Sequence, residues 1–108
     1  MKPEYATVEA KVTAIEAEMK RSGLWQSDPL APEQYAFQQA FAMDTMAFSQ
    51  WLQFIFIPRV RGIIQTRGEF PSSSSVGAQA IREFDGFEEA AELVSILSGF
   101  DSLLRPGK

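Results

Sequence analysis

The chain has 108 residues, the size of one ordinary domain, and its 45% apolar and 22% charged residues are typical of a folded globular protein. It contains no histidine and no cysteine, which removes the commonest general base, the preferred zinc ligands and all disulfide or thiolate chemistry. Its net charge of −4 argues against a general nucleic-acid-binding protein, because such proteins are normally basic. We therefore expect a single domain over residues 1–108 with no cofactor and no metal.

Targeting and membrane signals are also missing from the sequence. The N-terminal segment carries charges throughout, so it offers no apolar signal region. The most apolar run, residues 54–57, is far shorter than the roughly 20 residues that cross a bilayer. These observations predict a soluble, cytoplasmic protein that does not bind membranes.

Residues 4–22 predict the first amphipathic helix, because four apolar residues recur on one stripe at helical spacing. They are Val8, Val12, Ile15 and Met19. Gly23 follows as a C-terminal stop, and the two apolar residues after it can fold back onto the core. Two prolines in residues 26–34 indicate a loop, whereas residues 35–47 lack clean periodicity and predict extended or single-turn structure.

Residues 48–66 predict the second long helix, which is apolar on more than one side and should therefore lie at the centre of the fold. Pro58 lies inside this helix and should kink it, because proline cannot donate the backbone hydrogen bond expected there. Gly68 should end it. The serine-rich segment that follows, residues 71–75, predicts a polar and mobile loop.

The last third of the sequence predicts two more helices. A short helix at about 77–84 should turn Ala80, Ile81 and Phe84 inward. A long helix over about 86–104 has a capping-box spacing, with Asp85 as the cap and Glu88 three residues later. No alternating strand pattern is present. The predicted fold class is therefore all-α, a small helical bundle of three long helices plus one short helix.

Carboxylates are the first candidates for a functional site. Asp44 lies in a window, residues 29–58, whose one other charge is Glu33. It is either a contact or catalytic carboxylate or, as we favour, a cap for the turn into the second helix, a role that Thr45 could share. Acidic residues clustered in 83–92 could bind a cation or a basic partner, although a solvated helix face is the commoner explanation. No nucleotide- or calcium-binding motif is present, and we predict that the protein is not an enzyme.

Aromatic and basic residues in the middle of the chain offer a second kind of site. Seven aromatic residues fall within 35–56: Tyr35, Phe37, Phe41, Phe48, Trp51, Phe54 and Phe56. Either all of them are core, or a surplus forms an exposed patch that binds a partner. Arg59 and Arg61, with Arg67 nearby, either contact an anion or complement the helix end and pair with the acidic helices.

The segment 41–59, FAMDTMAFSQWLQFIFIPR, resembles the YqcC-like family of small bacterial proteins through the pattern F-x-M-D-T-M, then W-L-Q, then I-P-R. The resemblance extends over most of the chain and implies a compact α-helical bundle with no established catalytic activity. The family is sometimes described in connection with tRNA pseudouridine synthase C, which implies a partner in tRNA modification. Because the chain is too short for such a synthase and shows no sheet pattern, that activity is not transferred to Asp44.

Three functional hypotheses follow. The first is a non-catalytic interaction module that presents residues 41–61 to a protein partner, for which a tRNA pseudouridine synthase is a candidate. Its candidate partner-binding residues are Phe41, Asp44, Trp51, Phe54, Phe56, Arg59 and Arg61. The alternative is an accessory protein that contacts RNA weakly, with aromatics stacked on bases and arginines on phosphates. The third is an enzyme that uses carboxylates around Asp44. Separately, the sequence allows a homodimer formed through the same aromatic residues.

Overall fold

The structure is a computed structural model that describes residues 4–104. Four α-helices account for most of these residues, and no strand occurs among them. The helices are α1 at Tyr5–Arg21, α2 running continuously over 48–66, α3 at Val76–Glu83 and α4 at Ala91–Leu103. Short 3₁₀ turns lie at Pro32–Tyr35, Ala40–Ala42 and Glu88–Ala90. The predicted bundle of three long helices and one short helix is confirmed, and no helix within this range is long and apolar enough to cross a membrane.

Helix α1 packs on the core through the predicted stripe, since its four apolar residues at helical spacing have no exposed surface. It ends as predicted at Gly23, whose φ of +79° is a left-handed conformation that suits glycine. The Gly23 N–H donates to Lys20 O at 3.3 Å and the Leu24 N–H donates to Met19 O at 2.8 Å, which is the Schellman pattern. Leu24 is thereby turned back against the core.

Helix α2 is not a regular α-helix throughout. Its α-helical parts, Phe48–Trp51 and Ile57–Thr66, are separated by a π-helical segment at Leu52–Phe56. In that segment the Ile57 N–H bonds to Leu52 O, five residues back. Pro58 follows directly, and π turns are one of the known ways in which a helix accommodates a local irregularity. The irregularity predicted at Pro58 therefore takes the form of a widened turn just before it.

The end of α2 corrects one prediction. Gly68 does not itself adopt the left-handed conformation; Arg67 does, with a φ of 57°. The Gly68 N–H donates to Ile63 O at 2.9 Å and the Arg67 N–H donates to Ile64 O at 3.2 Å, so the Schellman pattern is complete with arginine in the position usually taken by glycine. The Arg67 guanidinium lies 5.2 Å from the centroid of the Tyr5 ring, a cation–π contact with α1.

A buried glutamine fixes the loop after α1 on the π segment. Gln53 is 7% exposed, and its side chain pairs twice with the backbone of Gln26. Its Nε2 donates to Gln26 O at 2.7 Å and its Oε1 accepts from Gln26 N at 3.0 Å. Gln50 Nε2 adds a bond to Gln26 Oε1 at 3.1 Å. Because buried amides are costly when unpaired, this two-sided pairing specifies one position for the loop.

Helices α3 and α4 meet at a close seam. A Cβ added to Gly77 would lie 2.5 Å from Ser98 Cα and 2.7 Å from Ser98 N, so glycine is required for this approach. Asp101 of α4 accepts the Gly77 N–H at 2.8 Å and so acts as a cap for α3 from another helix. Ala80 is fully buried as predicted, but Ile81 is 58% exposed, so the prediction that it faces inward is wrong.

The start of α4 also differs from the prediction. Asp85 makes no capping bond, and the residue that precedes the first turn is Phe87, without a side-chain cap. The reason is Gly86, whose φ of +83° turns the chain between Asp85 and the helix. The 3₁₀ turn that contains Glu88 then leads directly into α4. The sequence spacing was that of a capping box, but the chain direction at Gly86 prevents it from forming.

Candidate binding surface beside α2

The aromatic segment is divided between core and surface. Phe48, Trp51 and Phe56 are buried, with 5%, 8% and 7% of their surface exposed. Phe37, Phe41 and Phe54 are half-buried and pack against the core, and Tyr35 is 51% exposed. The interpretation that all seven residues are core is therefore wrong, and the exposed remainder consists of Tyr35 and the uncovered parts of the half-buried rings. Trp51 and Phe56 are not protruding anchors, and Phe54 is a partly covered flank of the core.

The aromatic rings form one continuous chain of contacts. The Phe41 ring meets Trp51 edge-on at 5.0 Å between centroids, and Trp51 lies 5.4 Å from Phe56. Phe56 in turn meets Phe100 of α4 edge-on at 5.1 Å. These distances are those of favourable aromatic pairs. The contacts connect the turn before α2 with the interior between α2 and α4.

That turn has a strained backbone. Phe41 has φ 56° and ψ 21°, and Ala42 has φ 53°. The Met43 N–H donates to Ala40 O at 3.2 Å, so Phe41 and Ala42 are the central residues of a turn with positive φ at both positions, as in type I′. Such turns favour asparagine and glycine, and each side-chain-bearing residue in this conformation costs roughly 1–2 kcal/mol. Strain of this kind tends to cluster at functional sites.

Asp44 stabilises this turn. Its Oδ2 accepts the Gln38 N–H at 3.0 Å and its Oδ1 accepts the Gln39 N–H at 3.3 Å. The first of these bonds, with a smaller contribution from the second, lowers the pKa of Asp44 below its ordinary value. The carboxylate is exposed and holds the backbone that enters the turn. Both oxygens are therefore engaged in a structural role.

The expected cap at the start of α2 is formed by a different residue. Gln50 reaches back so that its Oε1 accepts the Ala47 N–H at 2.9 Å. Thr45 Oγ1 instead donates to Gln34 O at 2.8 Å, which ties the turn to the preceding 3₁₀ turn. Asp44 therefore has the structural role in the turn before α2 that we favoured, but neither Asp44 nor Thr45 caps helix α2 itself. The residues are local caps, but they act on the backbone before them.

Beyond the turn, an apolar side chain reaches α3. Met43 is 54% exposed, and its sulfur lies 3.8 Å from Gln79 Nε2. Gln79 comes three residues after Val76 on α3, so the two side chains lie within about one helical turn of each other. Val76 in turn lines a pocket between α2, α4 and the serine-rich loop. The turn is connected to the pocket through Trp51, whose ring meets that of Phe41 at 5.0 Å between centroids and also lines the pocket.

The pocket has a volume of about 180 Å³ and mostly apolar walls. The aromatic and aliphatic residues of its walls include Trp51, Phe56, Val60, Phe70, Phe100 and Leu104. Ser73, Ser74 and Ser75 line its loop side, and Arg59 lines it from α2. Sequence reasoning missed this pocket because its walls come from residues up to 53 positions apart, counting from Trp51 to Leu104.

The loop over the pocket is anchored at both ends. The Tyr5 hydroxyl donates to Gly68 O at 2.6 Å, and its ring lies 5.4 Å from that of Phe70. At the other end, the Ser74 hydroxyl donates to Asp101 Oδ1 at 2.6 Å. The same aspartate holds the first turn of α3, so the pocket rim and the α3–α4 seam share one carboxylate.

The arginines do not form a joint patch. Arg61 faces α1, where its Nη1 lies 2.7 Å from Glu16 Oε1 and its Nε lies 3.9 Å from Glu9 Oε2. Hydrogen bonds from Lys20, and then from Arg61, lower the pKa of Glu16. Arg59 is exposed and has no ion pair or hydrogen bond within residues 4–104. Since residues two positions apart on a helix point roughly 200° apart, Arg59 and Arg61 serve different faces.

The acidic residues from the end of α3 to the first turn of α4 form no joint site. Glu83, Asp85, Glu88, Glu89 and Glu92 are all exposed. Over the described range, no group of three or more acidic side chains is arranged to hold a metal ion. One local pair is present, since Gln79 Nε2 donates to Glu83 Oε2 at 2.8 Å. The arrangement is that of solvated helix ends.

Comparisons with known proteins show which structures and sequences this chain is similar to. A solution NMR structure of protein YqcC from Escherichia coli superimposes with a TM-score of 0.81 at 26% identity, covering 93% of this chain and 86% of that one. An uncharacterized protein of Haemophilus influenzae is 27% identical over 82% of this chain and 84% of its own length. A tRNA pseudouridine synthase C of Pectobacterium carotovorum is 32% identical over 55% of this chain, a stretch that is 16% of that protein. Residues 7–103 match the family DUF446, described as tRNA pseudouridine synthase C, and the chain therefore belongs to this DUF446/YqcC family.

Proposed function

We propose that this chain is a non-catalytic binding module whose partner is a tRNA-modifying enzyme of the tRNA pseudouridine synthase C class. The observation that carries the binding role is the strained turn, which keeps Met43 exposed and contacts, through Phe41, the Trp51 ring that lines a preformed apolar pocket. We call the surface formed by Phe41, Met43, Arg59 and the pocket the docking surface. Exposed apolar groups next to a pocket and rimmed by polar ones are typical of protein-binding surfaces.

The choice of partner is supported by one relative. The matching stretch forms 16% of a longer protein named tRNA pseudouridine synthase C, so most of that protein lies outside the similar segment. In that relative, a segment similar to this chain is therefore part of the same polypeptide as the rest of the named enzyme. The family description carries the same name. Both observations favour this class of enzyme over an unrelated protein as the partner.

A catalytic role fits the geometry less well. A general acid or base at neutral pH needs a pKa near 7, which for a carboxyl group requires a raised value. The hydrogen bond from Gln38 instead lowers the pKa of Asp44, and both of its oxygens are occupied by backbone N–H groups. RNA binding is also weakly supported, because Arg61 is paired with Glu16 and Arg67 lies over Tyr5.

The test is a binding measurement between the full chain and the tRNA pseudouridine synthase C of the same source organism, by isothermal titration calorimetry after nuclease treatment. Met43→Ser should weaken binding at least about fivefold, because truncating a central interface residue costs more than about 1 kcal/mol. Ile81→Ser is the matched control. Ile81 is similarly exposed, but it points roughly 200° away from Gln79, the α3 residue that Met43 contacts, so its change should leave affinity as it is.

Three results would contradict the proposal. The first is no measurable binding of the synthase at micromolar concentrations. The second is an equal loss of affinity in Met43→Ser and Ile81→Ser, which would mean that the docking surface is misplaced. The third is binding that requires tRNA and weakens steeply with salt, which is the behaviour of phosphate contacts and would favour the RNA-contacting alternative.

A further inference from the structure

We infer that the pocket between α2, α4 and the serine-rich loop binds one aromatic or branched apolar side chain that is followed by an acidic residue in a peptide segment of the partner protein. This inference rests on the proposed function in one respect, that the partner is a protein. It adds the chemistry of the segment that the partner inserts.

The size of the pocket limits the occupant to one side chain. A cavity of about 150 Å³ lined by aliphatic and aromatic side chains holds one benzene molecule, and this pocket measures about 180 Å³. Phe56, Phe100 and Leu104 supply walls of the same character. These three residues are themselves at most 7% exposed, so the walls belong to the core and keep their shape.

The rim of the pocket is fixed before any ligand arrives. Tyr5 holds one end of the loop through Gly68 O, and Asp101 holds the other through Ser74. A fixed rim lowers the entropic cost of binding, because fewer groups must be ordered when the complex forms. Ser73 and Ser75 place hydroxyl groups along that rim, where a peptide backbone could bond to them.

Arg59 sets the charge preference. It is the one charged residue among those described as lining the pocket, and it has no ion pair with the acidic residues of the chain's described part. Arg61, two positions later, forms ion pairs with Glu16 and Glu9. The two neighbouring arginines therefore differ, since the charge of Arg59 is not neutralised in this way. An unpaired guanidinium at the mouth of an apolar pocket favours a carboxylate next to the apolar group and disfavours a basic residue there.

The probe is the peptide acetyl-Gly-Phe-Glu-Gly-amide, titrated into the full chain and followed by ¹H–¹⁵N NMR shifts. Shifts should concentrate at Ser73, Val76 and the Trp51 indole, and should be absent at Ile81. Replacing Phe by Ala in the peptide should weaken binding at least about tenfold, because the buried ring supplies most of the affinity. Replacing Glu by Gln should weaken it about two- to fivefold, the range expected for an exposed ion pair.

Two pairs of protein variants locate the site. Ser73→Phe should fill the pocket and abolish peptide binding, whereas Ser72→Phe places the same ring on the neighbouring exposed serine, which does not line the pocket, and should not. Arg59→Gln should remove the preference for Glu over Gln in the peptide. Arg82→Gln, at an exposed arginine of α3 that does not line the pocket, should preserve that preference.

The outcomes separate this inference from the proposed function. If the synthase binds and Ser73→Phe does not weaken it, the pocket inference is overturned while the docking role stands. If the peptide binds in the pocket and the synthase does not bind, the pocket inference stands and the choice of partner fails. Absence of peptide shifts at the pocket, or equal affinity for the Glu and Gln peptides in the unmodified protein, would overturn the inference directly.

Discussion

At the seam between α3 and α4, two backbones approach so closely that only glycine fits at position 77, and the polar groups there are paired within the molecule. Residues 35–47 are the opposite case. There, two residues with side chains adopt left-handed conformations, and Tyr35 and Met43 keep about half of their surface exposed. At the seam, the close packing and the paired polar groups stabilise the fold. The turn combines strain with exposure, a combination that makes sense when the missing contacts come from another molecule.

The largest effect should come from Gly77→Ala. Its Cβ would lie 2.5 Å from Ser98 Cα, and backbone atoms cannot move aside as a flexible side chain can. We expect a loss of about 3 kcal/mol in the free energy of unfolding, measured by urea denaturation. Gly99→Ala is the matched control, because its Cβ would meet the end of the movable Lys11 side chain, with the ammonium at 2.8 Å, and no backbone atom of another helix within 4 Å. A change at Gly77 as small as that at Gly99 would show that the seam is not closely packed.

Asp101→Ala should have the next largest effect. It removes the acceptor for the Gly77 N–H and for the Ser74 hydroxyl, and we expect a loss of about 2 kcal/mol. Hydrogen exchange should accelerate most in the first turn of α3. Asp85→Ala, an exposed aspartate without a capping bond, should change stability by less than about 0.5 kcal/mol. Equal losses in both variants would mean that the cap across the seam contributes nothing.

The lowered pKa of Asp44 predicts that the stability of the turn depends on pH. Its pKa is lowered in the folded state, so its stabilising effect is present above the unfolded value of about 3.9 and is lost as the pH falls through the lower folded value. The Gln38 amide shift should titrate with that midpoint in an NMR pH series. The titration should vanish in Asp44→Asn and persist in Glu33→Gln. A midpoint at or above the ordinary carboxyl value would contradict the hydrogen bonding described.

The smallest effect on stability should come from Met43→Ser. More than half of the Met43 surface is exposed, so we expect a change of less than about 0.5 kcal/mol in urea denaturation. The same change should weaken synthase binding, as described above. A large loss of stability would mean that Met43 belongs to the core rather than to the docking surface. Together with Gly77→Ala, this variant separates the region that stabilises the fold from the region that we propose binds a partner.

Much of the fold was predictable because local signals carry it. The apolar stripe of α1 and its stop at Gly23 were confirmed, since helical spacing and a left-handed glycine act over a few residues. The failures occurred where tertiary contacts decide. Asp85 could not be rejected as a cap without knowing the turn at Gly86, and Ile81 was misplaced because the face of α3 that packs is set by the approach of Gly77 to α4.

The candidate site was predictable in outline alone. The segment 41–59 was singled out from the sequence, and it does contain the strained turn and Arg59. Arg61 pairs with Glu16, which lies 45 residues away. Composition and spacing cannot show whether an arginine has such a distant partner or is free. The pocket could not be predicted either, because its rim depends on Tyr5 and Asp101, which lie at opposite ends of the chain.

The π segment of α2 has a consequence for comparing members of this family. Trp51 and Phe56 are five residues apart, and in a regular α-helix they would point roughly 140° away from each other. Here the widened turn brings them to the same face, with ring centroids 5.4 Å apart. A relative with one residue fewer between these positions would keep both rings in place with an ordinary α turn. A one-residue alignment gap inside this helix would therefore mark a change of helix type, with the two rings and the pocket retained.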